Sequence, residues 1–251
     1  MNRNLKTSAL ILKNYRVGEY HKGTVLLTKD LGIINAVAYG GYKTRSKLGS
    51  KTEVFNYLRL YLYHDPVKNT YKITDTENVE IYENIRNDLK SIMTATLCCE
   101  IVLKTYGGGG EYSGTLSLMR TAFSGFNAGE RDSLDRSLIQ FLWRYAGILG
   151  FRFNLTECSQ CGNAIKPGEN CIFSAGDENF ICSRCAVPAD ITLPPGCRTY
   201  LLHTDSLDFF QSLRVGLPGQ SQKDLKALLI HILKSIVETD LNTVTAGGEF
   251  L

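Results

Sequence analysis

Two Cys-x-x-Cys pairs constrain this chain more than any other feature of its sequence. Cys158 and Cys161 form the first pair, and Cys182 and Cys185 form the second after 20 intervening residues. Two residues between cysteines allow a tight knuckle that turns both sulfurs toward one ion, and two knuckles supply the four thiolates of a tetrahedral Zn²⁺ site. The spacing therefore predicts an inserted four-cysteine zinc ribbon over residues 156–190, with one structural zinc ion.

The segment between the two pairs is typical of a hairpin with Gly176-Asp177 near its tip. Three alternatives to structural zinc stay open: a catalytic zinc, redox chemistry by one pair, and a site without metal. Redox chemistry is disfavoured because no thioredoxin-like βαβ pattern surrounds either pair. Cys171 also lies between the knuckles, but its spacing fits neither pair. Cys98 and Cys99 fall inside a helical pattern and are interpreted as small apolar core residues.

Charge is distributed unevenly along the 251 residues. The formal net charge is +3, with 28 Lys and Arg against 25 Asp and Glu. Residues 1–51 hold ten basic and two acidic residues, a net of +8, which leaves −5 for the remaining 200. This asymmetry predicts a nucleic-acid or acidic partner for the first part of the chain. No apolar run reaches the roughly 18 to 20 residues of a membrane span, and no signal peptide is recognised, so a cytoplasmic protein is predicted.

The first 80 or so residues contain five short apolar runs rich in β-forming residues. Gly, Asp and Pro separate the runs, a pattern that is typical of a small barrel of the OB type. The predicted strands lie at 7–17, 23–30, 33–43, 53–65 and 70–82.

From about residue 84 the apolar period changes to three and four residues, which predicts helices. Ser133 is the predicted N-cap of the third helix, and the run Gly107–Gly110 is predicted to be a flexible link between the first two. The predicted helices are 86–106, 112–126, 133–150, 198–214 and 221–239. The predicted fold is therefore α+β and multidomain, with an OB-fold barrel at 1–82, a helical domain at 83–155 and 191–251, and the ribbon inserted at 156–190.

A basic loop, GGYKTRSKLGSK, follows the third predicted strand and contains no acidic residue. Lys43, Arg45, Lys47 and Lys51 lie in it and are candidate phosphate contacts, because OB-type barrels bind single strands between mobile loops. A solvated loop that only keeps the chain soluble is the alternative.

The first strand and the turn after it extend the basic surface. Lys13, Arg16 and Lys22 are further candidate nucleic-acid contacts, and nearby tyrosines are candidate stacking platforms, although core packing is an alternative for each ring. These tyrosines are Tyr15, Tyr39 and Tyr42.

No catalytic motif is found in the sequence. The glycine-rich TYGGGGEYSGT lacks the Gly-Lys-Ser/Thr ending of a phosphate-binding loop, and the four histidines are isolated from one another. A protein that is not an enzyme is therefore predicted. The alternatives are a scaffold that binds proteins and not DNA, with a structural zinc site, and a zinc-dependent or redox enzyme.

Several motifs, taken in order, resemble the RecO family of bacterial DNA-repair proteins. They include Gly18-Glu19 after the first strand, the turn TKDLG at 28–32, and Arg45-Ser46 after the third strand. Glu100 in the first helix, the run LIQFLWRYAGILGFRFNLTECSQCG and the second knuckle FICSRC continue the resemblance, so that it covers nearly the whole chain.

The resemblance implies an OB-fold, a helical domain and a zinc ribbon in a recombination mediator that is not an enzyme. It implies binding of single- and double-stranded DNA, annealing of complementary strands, and work with RecR and often RecF to load RecA onto gaps coated by the single-strand-binding protein SSB. Family DNA contacts lie largely on the barrel, which fits Lys43, Arg45 and Lys47. The four cysteines match the zinc ligands of those members that have them.

Overall fold

The fold is that of a computed structural model, which describes residues 3–128 and 131–248, apart from the side chains of 131 and 132. Five strands of the N-terminal region close into a barrel in the order β1-β2-β3-β5-β4. This is the strand order of an OB-like barrel, so the predicted barrel is confirmed. The strands are β1 (Asn4–Val17), β2 (His21–Thr28), β3 (Ile33–Ala38), β4 (Tyr57–Asp65) and β5 (Thr70–Glu80).

β1 closes the barrel because it is long enough to pair on both sides. Its first half pairs with β4 from Asn4 to Leu10, and its second half pairs with β2 from Ala9 to Val17. The register with β2 shifts after Ile11, a β-bulge that bends the strand between its two partners. The barrel interior is apolar and consists of Ala9, Ile11, Leu26, Ile34, Ala36, Ala38, Leu58, Leu60, Leu62 and Ile73.

Seven helices follow the barrel in the part of the chain that the structure describes. They are α1 (Leu89–Lys104), α2 (Tyr112–Asn127), α3 (Arg131–Ile148), α4 (Pro195–Thr204), α5 (Phe209–Leu213), α6 (Gly219–Val237) and α7 (Asn242–Gly247). None of these helices combines the length and apolar character needed to cross a membrane. Mixed α+β architecture, predicted from the change of apolar period, is confirmed.

The chain forms two compact units, Met1–Ala128 with Leu241–Leu251 and Gly129–Asp240. The first unit thus contains the barrel, α1, α2 and α7, and the second contains α3 to α6 with the cysteine module. The finer division predicted from sequence, at 82, 155 and 190, stays a prediction.

In the first unit, α1 and α2 pack on the outside of β1 and β2. Leu10 and Leu27 pair across these strands outside the barrel core and are fully buried. An ion pair between Arg120 of α2 and Glu80 of β5 adds a polar link, and the Arg120 guanidinium lies 4.1 Å from the centre of the Tyr57 ring. Apolar burial therefore holds both helices to the barrel, and the Arg120 contacts add a charged link for α2.

The four glycines between α1 and α2 are required by the path of the chain. Gly107–Gly110 all have positive φ, between 64° and 117°, a region that residues with a Cβ rarely adopt. The link therefore reverses the chain within a few residues and lets α2 return to the barrel.

In the second unit, the predicted apolar stripes of α3 and α6 face one another. Leu138, Phe141 and Tyr145 of α3 are fully buried, as is Leu225 of α6. A buried ion pair joins the same helices, with Lys226 Nζ 3.0 Å from Asp135 Oδ1. These contacts confirm the helical core expected from the periodicity.

The cysteine module contains a three-stranded sheet in the order β7-β6-β8. The predicted hairpin is β6 (Cys171–Ser174) and β7 (Asn179–Cys182), and β8 (Ile191–Leu193) adds a strand that was not predicted. Phe153, which follows α3, packs edge-on against Phe180 of the hairpin at 5.5 Å between ring centres. This aromatic contact joins the module to the helices of its own unit.

Two details of the predicted helices are wrong. Ser133 is not an N-cap, since α3 already includes Arg131. The single helix expected at 198–214 is two helices, because Asp208 begins α5 with a capping box: its carboxylate accepts the Gln211 N–H while the Gln211 side chain accepts the Asp208 N–H.

Candidate metal centre and nucleic-acid interface

The two cysteine pairs converge in the second unit. The sulfur atoms of Cys158, Cys161, Cys182 and Cys185 all lie within 4.8 Å of one another, and those of Cys161 and Cys182 are 3.8 Å apart. A tetrahedron with Zn–S bonds of about 2.3 Å has sulfur–sulfur edges of about 3.8 Å. The four residues therefore fit a single metal ion, and four thiolates leave no coordination position open.

Local backbone structure explains how each pair presents its sulfurs. The Gly162 N–H donates to the Cys158 carbonyl oxygen at 2.9 Å, and the Cys185 N–H donates to the Cys182 carbonyl at 3.0 Å. Gly162 has φ of +68°, which suits glycine where the chain reverses after the second ligand. Each pair is thus a closed turn that aims both side chains to the same side.

The electrostatics of the cluster favour thiolate at two of the four sulfurs. Burial opposes ionisation of Cys158, but backbone N–H groups of Cys161, Cys182 and Gln160 lower the pKa of its thiol to about 6. Burial also opposes ionisation of Cys182, whose pKa is nevertheless lowered by the N–H groups of Arg184 and Cys185. Thiolates are the metal-binding form of cysteine, so these N–H groups prepare the site for a cation.

The other two candidate ligands, Cys161 and Cys185, are more accessible and are paired with each other. A hydrogen bond to the Cys161 sulfur, together with burial, raises the pKa of the Cys185 thiol to about 12. Metal binding displaces such a proton, which makes metal affinity depend on pH. Cys171 lies in β6 opposite Cys182 but outside the cluster, and burial raises the pKa of its thiol to about 11. Cys98 and Cys99 are buried in α1, as expected.

A buried arginine, which was not identified from the sequence, holds the first knuckle on α4. Arg198 donates from Nε to the Leu155 carbonyl at 2.7 Å, from Nη1 to the Lys166 carbonyl at 2.7 Å and from Nη2 to the Ile165 carbonyl at 2.6 Å. Because these carbonyls flank Cys158 and Cys161 on both sides, one guanidinium fixes both ends of the knuckle.

The basic loop lies in the first unit, between β3 and β4. Its polypeptide is held by side chains from the barrel rather than left loose. Asn14 Nδ2 donates to the Thr52 carbonyl at 2.9 Å, and Asn56 Nδ2 donates to the Lys51 carbonyl at 2.9 Å. The loop thus has a defined conformation, in which Lys43, Arg45 and Lys47 are exposed.

Three of the predicted phosphate contacts surround one open concavity of about 570 Å³. Lys43, Arg45 and Lys47 are exposed at its rim. The remaining lining residues are His21, Tyr39, Gly40, Ser46, Leu48, Thr74 and Asp75. Asp75 is the one acidic group among them, and its carboxylate accepts the Thr76 N–H at 2.8 Å.

The other predicted contacts are placed differently. Lys13 and Arg16 are exposed on β1, and the Arg16 guanidinium lies 5.5 Å from the centre of the Tyr42 ring. Lys51 is half-buried and donates to the Thr76 carbonyl at 3.2 Å. None of these three residues lines the concavity.

Lys22 differs from the prediction most clearly. Its side chain is only 2% exposed, and its ammonium lies 2.7 Å from both the Gly49 carbonyl and Glu53 Oε1. The loop folds over this lysine, which is why a strand crossing the surface has no access to it. Lys22 therefore supports the loop from beneath and is not part of the exposed basic surface.

Two side chains beside the concavity were not found from the sequence. The Lys72 ammonium lies 5.2 Å from the centre of the Tyr39 ring, and the His21 ring lies 4.8 Å from it. β3 and β5 pair in parallel, with Val37 opposite Lys72. The OB strand order makes these two strands neighbours, and it therefore predicts that Lys72 lies near Tyr39.

The fold and the site together define the class: an OB-like barrel with associated helices and a four-cysteine module that can hold a metal ion. A family model described as "Recombination protein O N terminal" matches residues 1–82, and one described as "Recombination protein O C terminal" matches residues 86–243. The chain therefore belongs to the recombination protein O (RecO) family, which confirms the resemblance.

Two curated relatives share similarity across most of the chain. One, from Rubrobacter xylanophilus, is 26% identical over 194 residues, which is 76% of each protein, and is named "DNA repair protein RecO". A second, from Alkaliphilus metalliredigens with the same name, is 28% identical over 181 residues, which is 72% of each.

Proposed function

We propose that this protein acts in DNA repair and recombination as a DNA-binding mediator, without covalent chemistry of its own. It binds single- and double-stranded DNA, anneals complementary strands and, with RecR, helps to load RecA onto gaps coated by SSB, with RecF in some settings. Family membership and the names of the curated relatives support this role. Access to chromosomal DNA places the site of action in the bacterial cytoplasm.

The observation that carries the DNA-binding part is the exposed cluster of Lys43, Arg45 and Lys47 around a concavity that also contains an aromatic ring. Cations that neutralise phosphates release counterions and so drive binding, while rings accept bases. Arg16 and Lys13 extend the charge along β1. Neutralisation of both strands lowers their mutual repulsion, which is the physical basis that we propose for annealing.

We further propose that the four cysteines hold one Zn²⁺ with a structural role. The four sulfurs fit a tetrahedral ion, and the closed ligand set leaves no position for a reacting water. Zinc bound there would cross-link the two knuckles and fold the module. The ligands would be Cys158, Cys161, Cys182 and Cys185.

The DNA-binding proposal is tested with a triple variant, Lys43→Ala, Arg45→Ala and Lys47→Ala. Fluorescence anisotropy with labelled single-stranded and duplex oligonucleotides across a salt series gives the affinity and its salt slope. Loss of three phosphate contacts should weaken binding to every sequence and reduce the slope for single strands by about 2.

The control removes the same formal charge elsewhere, through Lys166→Ala, Arg184→Ala and Lys223→Ala, all exposed in the second unit. We expect its slope to match that of the wild type. Equal slopes for the two triple variants would contradict the assigned contacts. A wild-type protein that binds no DNA at low salt would instead favour the scaffold alternative, in which the loop contacts an acidic protein.

A further inference from the structure

The concavity beside Tyr39 has features that phosphate binding alone does not require. The Tyr39 ring is 54% exposed, although tyrosines that serve only as core residues lose most of their exposure. The concavity, about 570 Å³, lies within the range of about 300–1,000 Å³ typical of small-molecule sites. An exposed ring at the edge of such a space can receive a planar group.

The ring is held in place by its neighbours rather than by burial. The Gly40 N–H donates to His21 Nδ1 at 3.0 Å, which orients the His21 ring. The same His21 ring lies 4.8 Å from Tyr39, at an angle of 58°. Tyr39 thus lies against a histidine ring that is itself oriented by a backbone hydrogen bond, and such contacts reduce the ordering that a ligand must impose on binding.

A cation already occupies a position against the π-face of Tyr39. The Lys72 ammonium is 5.2 Å from the ring centre, and Lys72 is exposed on β5. A long exposed lysine can leave this position at small cost, since a cation–π contact at the solvent-exposed surface is weak. The π-face is therefore accessible, and the displaced ammonium stays close enough to meet a phosphate.

We propose that this concavity binds one unpaired nucleobase, which stacks on Tyr39 while Lys43, Arg45 and Lys47 contact the flanking phosphates. The proposal rests on the proposed DNA-binding function and adds to it a site that distinguishes single strands from duplex. Bases inside a duplex already have both faces stacked, whereas a base in a single strand can turn out and offer a face to the ring. Tyr39 is then the residue that determines strand preference.

The experiment removes the tyrosine ring and the base separately and together, and measures whether the two losses of affinity add. Wild-type protein and the Tyr39→Ala variant are each titrated with a labelled oligothymidylate of about 20 nucleotides, with an abasic oligomer of the same length, and with a blunt duplex. Loss of one stacked base lowers affinity by about 5- to 100-fold. We expect that loss for Tyr39→Ala on the oligothymidylate, and little further loss on the abasic oligomer, because the two changes remove one shared contact.

Two further variants separate stacking from general damage. Tyr39→Phe keeps the ring and should retain affinity for single strands. Phe210→Ala, which removes a ring that is 51% exposed in the second unit, should bind all three nucleic acids as the wild type does. Duplex affinity and the salt slope should stay unchanged in Tyr39→Ala, because no phosphate contact is lost.

The outcomes distinguish this inference from the function on which it rests. If Tyr39→Ala binds the oligothymidylate as tightly as the wild type while the Lys43, Arg45 and Lys47 variant does not, the base site is refuted and phosphate binding stands. An equal loss on thymidylate, abasic and duplex ligands would refute the base site as well. Absence of DNA binding by the wild type would overturn both proposals.

Discussion

At the scale of single residues, Lys22 shows how one buried charge can organise a surface that it does not touch. Its ammonium contacts Gly49 of the basic loop and Glu53, two residues after the loop, and the Tyr42 ring lies 5.2 Å away. Removing the charge leaves the partly buried Gly49 carbonyl without its donor, which costs about 1–3 kcal/mol. Lys22 is thus a positioning residue for the exposed loop cations.

We expect Lys22→Met to lower the free energy of unfolding by about 1–3 kcal/mol and to weaken DNA binding by loosening the loop. The salt slope should remain that of the wild type, because no cation is lost from the phosphate-facing surface. Thermal or denaturant unfolding and an anisotropy salt series measure the two effects. Lys223→Met, at an exposed position of α6, is the control. A reduced slope in Lys22→Met would instead show that Lys22 contacts DNA phosphates.

Sequence reasoning found the charge of Lys22 but not its position. Lys22 lies at the start of β2, close in sequence to the predicted surface cations. Nothing in the local sequence indicates that it is buried while they are exposed. Burial comes from the basic loop, whose Gly49 lies 27 residues later in the sequence, folding back over the strand, with Glu53 supplying the counter-charge. That is a tertiary contact, which local pattern and propensity do not encode.

At the scale of secondary-structure elements, the sequence predicts the long elements, which have a sustained apolar periodicity, and misses the short ones. The five barrel strands and the long helices α1, α2, α3 and α6 have sustained apolar periods, and all were predicted. The elements that were missed are short. β8 has three residues, and α7 has six, with its first N–H groups donating to the Glu100 carboxylate of α1. The break before α5 does have a local sequence signal, because Asp208 and Gln211 have the spacing of a capping box.

Arg198 connects two elements, and its contribution can be tested. The Arg198 guanidinium of α4 donates to three backbone carbonyls that flank the first knuckle. We expect Arg198→Met to destabilise the second unit by roughly 2–4 kcal/mol, since buried carbonyls lose charged donors. Hydrogen exchange should accelerate around 155–166, and metal affinity should fall because the first ligand pair is less well ordered.

Arg184→Met is the matched control, because Arg184 lies in the second knuckle with its side chain exposed. It should leave hydrogen exchange and metal affinity as in the wild type. If Arg198→Met instead kept wild-type exchange at 155–166, the guanidinium would not be holding the knuckle in solution.

At the scale of the whole molecule, the candidate metal centre and the candidate DNA interface lie in different compact units. The barrel and its loop contain none of the four cysteines. The metal would therefore stabilise the second unit by cross-linking its knuckles, while the barrel would depend on its own apolar core. The sequence alone predicts that the two candidate sites belong to different parts of the fold, because the basic segment and the cysteine-rich segment are far apart along the chain.

The separation leads to a specific expectation for Cys158→Ser. Loss of one thiolate from a four-cysteine site should abolish stoichiometric zinc and expose residues 156–190 to rapid hydrogen exchange. Single-strand affinity at the barrel should change by less than about twofold, because the two sites belong to separate compact units and share no residues, and the free energies of independent sites add. Metal analysis, hydrogen exchange and anisotropy on one preparation give the three readouts.

Cys171→Ala provides the control, because Cys171 lies between the knuckles in sequence and is buried but stands outside the cluster. It should keep one zinc per chain even if packing is weakened. Zinc retained by a folded Cys158→Ser protein would refute the ligand assignment. Loss of both zinc and DNA affinity in Cys158→Ser, with Cys171→Ala unaffected, would show that the metal module takes part in DNA binding, and the functional division between the two units would then be wrong.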